Sequence, residues 1–183
     1  LREKVHVGYT PGPWLTGFVE GRDSSSQKDD RNPNPEADRF DLHQAHLTLG
    51  KAREFPLTAK VGRQELNYGD ERLIGAFDWN NVGRVFDAAK LRFENPDIWV
   101  DGFVGRVVMV DDNSFNEAND YDTLSGLYAS TKTLIPKQET QLYLLSRNVG
   151  PSSPTAIGAG LPPVLSGASP RDIYTIGLRV KSL

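Results

Sequence analysis

Ten charged residues crowd positions 63–92: Arg63, Glu65, Asp70, Glu71, Arg72, Asp78, Arg84, Asp87, Lys90 and Arg92. Arginine forks bind carboxylates bidentately, and rows of cationic side chains held by acidic neighbours select anions without trapping them. Glu65 and Asp78 are carboxylates of the kind a glycosidase uses, but nothing in the sequence fixes their separation. No G-x-S-x-G, Walker or Rossmann glycine pattern is present, so no catalytic residue and no cofactor is assigned. Phe77, Trp79 and Phe86 interleave with the charges. A solvated loop has no need of these rings, and a dry core does not tolerate this charge density. The combination implies a segment that enters or lines a wet cavity, with Trp79 either at an interface or stacking on sugar.

Other chemistry is thinner. His43 and His46 lie three apart, which in a regular strand sets them on opposite faces; only a bulge would re-aim one, and no metal site is assigned. The stretch 110–121 has carboxylates enough for Ca²⁺ but lacks the glycine and terminal glutamate of an EF-hand loop, so it reads as solvated. There is no Cys, which removes disulfides and thiol chemistry. Net charge is -3, so no basic footprint marks nucleic acid as a partner. No run of ~18 apolar residues offers a membrane helix.

The elements that must position these groups are strands. Period-2 alternation recurs in nine pieces, at 2–9, 14–22, 39–50, 57–67, 84–95, 97–109, 122–133, 137–148 and 171–182. Ala89, Leu91 and Phe93 oppose Lys90, Arg92 and Glu94; Tyr174, Ile176, Leu178 and Val180 oppose Thr175, Arg179 and Lys181. Leu142 and Leu144 oppose Gln141 and Arg147, with Tyr143 and Leu145 blurring the pattern. Phe40 and Leu42 are out of phase with Ala45, Leu47 and Leu49, which predicts a bulge near His43–Ala45. A second slip after Val61 leaves the facing of Arg63 and Glu65 open. Short connections (TPGP, AREFP, NP, IPK) alternate strictly with long ones (23–38, 68–83, 110–121, 149–170). That is the habit of an up-and-down transmembrane β-barrel, short turns on one side and long loops on the other, with strands of the right length for a tilted crossing.

Residues 61–93, VGRQELNYGDERLIGAFDWNNVGRVFDAAKLRF, resemble the alginate export family of outer-membrane porins. The resemblance rests on Gly62-Arg63-Gln64, on Asp70-Glu71-Arg72, on Asp78-Trp79, and on Phe86-Asp87-Ala88-Ala89-Lys90-Leu91. It implies a channel in the bacterial outer membrane that passively exports an anionic polysaccharide, a polyuronate such as alginate. Its partners would be the polymer, the lipid bilayer and periplasmic export components. It implies Arg63, Arg72, Arg84, Lys90 and Arg92 as pore-lining cations, with Glu65, Asp70, Glu71, Asp78 and Asp87 as their acidic partners. The implied barrel has eighteen strands. Residues 1–183 supply about half as one partial all-β barrel domain, ending Lys181-Ser182-Leu183 without the usual terminal aromatic, so a fragment is expected. Two other readings stand beside it: a general or anion-selective porin for small solutes, and a soluble β-barrel module that binds carbohydrate.

Overall fold

The computed structural model describes residues 1–26, 37–51, 54–111, 114–150 and 171–182. Nine strands follow one another: β1 (Arg2–Gly12), β2 (Leu15–Ser24), β3 (Asp38–Leu49), β4 (Leu57–Gln64), β5 (Phe86–Glu94), β6 (Ile98–Met109), β7 (Glu117–Thr131), β8 (Gln138–Val149) and β9 (Arg171–Ser182). Each pairs antiparallel with the next, giving a single sheet in the order β1 to β9. Among the described residues the sheet does not close and contains no helix. The all-β, up-and-down architecture expected from the alternation is what forms, as part of a barrel. Much of the two long connections at 23–38 and 149–170 lies outside the described residues.

Cross-strand partners share a face, so the register sorts the side chains into two sets. Val61, Ala89 and Val104 are aligned across β4, β5 and β6, and Leu127, Leu144 and Ile176 across β7, β8 and β9. The same parity carries Val7, Val19, Leu47, Leu91, Leu142, Tyr174 and Leu178. These large apolar residues are exposed, Ile176 at 79%. An unbroken apolar face of this width is a lipid-facing band rather than a soluble surface. The opposite face carries Lys60, Lys90, Arg92, Asp101, Gln141 and Arg179 among aromatic rings.

The predicted bulge is present. The β2–β3 register moves from Glu20↔Gln44 to Gly21↔Leu42, leaving His43 as the extra residue. Without it, one of the two apolar sets, Phe40 and Leu42 or Ala45 and Leu47, would turn inward. β7 begins at Glu117, earlier than the alternation indicated. Glu117 and Ala118 pair with Met109 and Val108 beyond a register shift. A barrel wall that continues past the lipid has no need of apolar residues, so composition made Asn116–Tyr121 resemble a loop.

Candidate functional site

The long connection between β4 and β5 does not stand out from the sheet. It folds against the inner face and crosses it. Leu66, Tyr68 and Ile74 join Phe86, Phe103, Tyr128 and Leu145 in the main buried cluster. The Tyr68 ring stacks on Tyr128 and Phe103 at centroid distances of 4.7 and 5.1 Å. Its hydroxyl donates to Asp101 at 2.8 Å. Burial pushes the Tyr68 hydroxyl pKa up, reinforced by the neighbouring Asp101 charge, so it stays a donor. The aromatic and aliphatic residues that blurred the alternation in β8, Tyr143 and Leu145, are the seat of this segment. Apolar side chains face inward there because they are covered by chain rather than by water.

Ion pairs clasp the segment to both ends of the sheet. Asp78 accepts from Arg2 at 2.9 Å and Lys4 at 3.2 Å, both on β1. Asp70 pairs with Arg179 on β9, whose Nε donates at 3.2 Å. Ser24 on β2 donates to the Asn81 carbonyl at 2.7 Å. Inside the segment, Asn67 accepts from the Ala76 amide at 2.7 Å and Glu71 from the Phe77 amide at 3.1 Å. These close the backbone into a compact loop whose polar groups are paired without a strand. The Arg179 hydrogen bond holds the Asp70 carboxyl below the usual carboxylate range. For Asp78, burial opposes ionisation, but Lys4, Arg2 and Arg22 outweigh it and its pKa is also lowered. A depressed folded-state pKa contributes stability above the unfolded value of roughly 4 and loses it as pH falls through the folded value. Acidification below pH ~4 is therefore expected to release both clasps, read as faster proteolysis within 65–85; Arg179→Gln should show part of that loosening at neutral pH.

The ten predicted site residues separate into three places. Lys90 and Arg92 lie on the inner face. Arg92 forms a fork on Asp101, with contacts of 2.6 and 2.9 Å, and lies over the Trp99 ring at 4.6 Å. Lys90 Nζ stands 3.8 Å from the same carboxylate. Asp70, Glu71, Arg72, Asp78 and Arg84 belong to the inserted segment. Arg72 lines a cleft of about 500 Å³ with Tyr68, Tyr128, Tyr143, Arg179 and Lys181. The Arg84 guanidinium covers the Phe77 ring at 4.6 Å. Glu65 opens the segment and accepts from His43 at 3.3 Å. Trp79 is 83% exposed, edge-on to Phe77.

Arg63 and Asp87 form the third place. They are register partners and make a bidentate pair at 2.8 and 3.1 Å, with Arg63 also donating to the Leu42 carbonyl. Their parity is that of Val61 and Ala89, the outward set, at the end of the strands from which the long segment departs. Beside them Gln64, fully buried, donates to the Ala88 carbonyl at 2.9 Å. Gly62 has φ +122°, and a Cβ there would strike the Ala45 carbonyl. The Gly-Arg-Gln and Phe-Asp-Ala-Ala elements thus meet across β4 and β5 and staple the base of the inserted segment.

Sequence reasoning missed Asp101, Arg2, Lys4, Lys60 and Arg179. Asp101 is fully buried and holds two cations and Tyr68 together. Its signal was a lone carboxylate on the parity of Trp99 and Phe103. Lys60 faces Lys90 directly across β4 and β5 and makes no ion pair among the described residues.

The sequence model for alginate export matches residues 2–182. The chain belongs to the alginate export family. No individual curated protein matches it alongside. Alginate export is a transport family and not an enzyme family, of the outer-membrane porin type. Its strand ladder, lipid-type outer face and inward-folded segment suit an outer-membrane export role.

Proposed function

We propose that this chain forms part of the wall and the constriction of an outer-membrane channel that passively exports an anionic polyuronate. The observation that carries the reading is the Lys60–Lys90 pairing. Like charges directly opposite destabilise a sheet, yet here they stand side by side on the inner face. Asp101 stands 3.8 Å from Lys90, but Lys60 has no ion-pair partner among the described residues; a passing carboxylate supplies its countercharge, and weak repeated contacts let a polymer move from site to site. Arg92 continues the row on β5, while Arg72, Arg179 and Lys181 line the cleft beneath the inserted segment with three tyrosines. Uronate rings offer a carboxylate to the cations and an apolar face to the rings, so this lining fits a sugar acid better than a simple inorganic anion. Acidic neighbours such as Asp101 fix the guanidinium and keep each contact weak.

The segment 65–85 is the gate or filter in this reading, since it crosses the inner face. Lys90→Glu combined with Lys60→Glu in the full-length channel is expected to shift the reversal potential in a salt gradient toward cation selectivity. An unchanged reversal potential in a folded double variant would remove these lysines from the pathway.

A further inference from the structure

A second cluster sits at the base of the inserted segment. The bulge at His43 turns that imidazole inward, where it meets Glu20 from β2 and Glu65, the residue just after β4. His43 Nε2 is 3.3 Å from Glu65 Oε1 and 3.8 Å from Glu20 Oε1. The three ligand atoms all lie within 4.8 Å of one another. Glu20 is 6% exposed and its Oε1 is buried with no hydrogen-bond partner. A buried carboxylate oxygen left bare is costly unless something cationic meets it. Arg22, also buried, lies near enough to act electrostatically on both glutamates, but donates no hydrogen bond to that oxygen.

We propose that Glu20, His43 and Glu65 bind a divalent transition-metal ion of the zinc class. An ion with bonds of ~2.0–2.2 Å to nitrogen and carboxylate oxygen separates tetrahedral ligand atoms by roughly 3.4 Å. The two histidine–glutamate separations bracket that value, so small side-chain rotations bring the three ligands onto one ion, which displaces the Nε2 proton now shared with Glu65 and leaves the fourth position to water. The imidazole selects against magnesium and calcium, which take all-oxygen shells. The ion joins β2 and β3 to the first residue of the inserted segment, at the point where that segment leaves the wall, and so ties its seating to metal supply. Arg22 offsets part of the carboxylate charge, which keeps the affinity below that of thiolate zinc sites.

The test uses the full-length protein without a histidine tag, stripped with chelator and titrated with zinc alone. One zinc per chain is expected by elemental analysis after desalting, not displaced by excess magnesium. His43→Ala and Glu20→Gln should each weaken binding by more than the roughly 10–100-fold that loss of an outer-shell partner brings. Glu20→Gln removes a bare buried charge, so that variant should fold at least as well as the parent while losing the zinc-induced rise in unfolding temperature. Zinc content no higher than in His43→Ala, displacement by magnesium, or binding that survives Glu20→Gln unchanged would each overturn the proposal.

Discussion

Replacing Tyr68 and Leu66 together by alanine should open the full-length channel. Leu66 and Tyr68 are 1% and 6% exposed, and both sit against the inner face of the sheet. Truncating a buried leucine costs about 2–5 kcal/mol and a large buried ring about 3–5 kcal/mol. Of the segment's side chains in that cluster only Ile74 then remains, and the other anchors are the Ser24–Asn81 hydrogen bond and ion pairs with exposed partners, which contribute little individually. The segment would then leave its seat while the strand ladder, held by main-chain hydrogen bonds, persists. Single-channel conductance should rise severalfold and become noisier, with the folded band on an unheated gel unchanged. Conductance equal to that of the parent would show that segment 65–85 does not narrow the pathway.

The second large effect is expected at Asp101. Its carboxylate takes the Arg92 fork, lies near Lys90 Nζ and accepts from Tyr68. Removing one partner of a buried pair costs about 3–5 kcal/mol because the other charge is left uncompensated. Arg92 and Lys90 are partly exposed, so Asp101→Ala should fall near the lower end, about 3 kcal/mol. The loss is measured as the shift in denaturant midpoint in detergent. Asp101→Asn, which retains an acceptor for Tyr68, should recover part of it. A midpoint unmoved by Asp101→Ala would mean that the carboxylate does not organise this corner. Asp101→Ala leaves Arg92 with only Glu94, at 3.5 Å, as an ion-pair partner among the described residues, so anion block should tighten even as stability falls.

The strands were legible because lipid on one face and polar groups on the other impose a period of two. Leu91 against Arg92 and Ile176 against Arg179 read correctly from that rule alone. The His43 bulge was legible as a phase slip between Phe40 and Ala45, and its consequence, an imidazole aimed at two glutamates, was not. Glu20 comes from β2 and Glu65 from the start of the inserted segment, and no spacing in the sequence announces them. The path of segment 65–85 was legible only in kind. Its mixture of charge and rings implied a wet cavity, but the apolar seat it folds against is built from Phe103, Tyr128 and Leu145, far along the chain. The Asp70–Arg179 clasp spans 109 positions, beyond any local pattern. Arg63 shows the limit from the other side. A charged residue in a motif invites a functional reading, yet its register partner Asp87 accounts for its guanidinium as the staple of a loop base.

The proposed channel is a cation-lined pathway for a polyuronate, narrowed by segment 65–85. It is tested most directly by single-channel recording of the full-length protein in a planar bilayer, with a polyuronate and a neutral glucan of similar size titrated in turn. An anion-selective current blocked by the polyuronate and indifferent to the glucan is expected, with the block relieved when Lys60 and Lys90 are reversed to glutamate. Equal block by both polymers, or none by either, would contradict it.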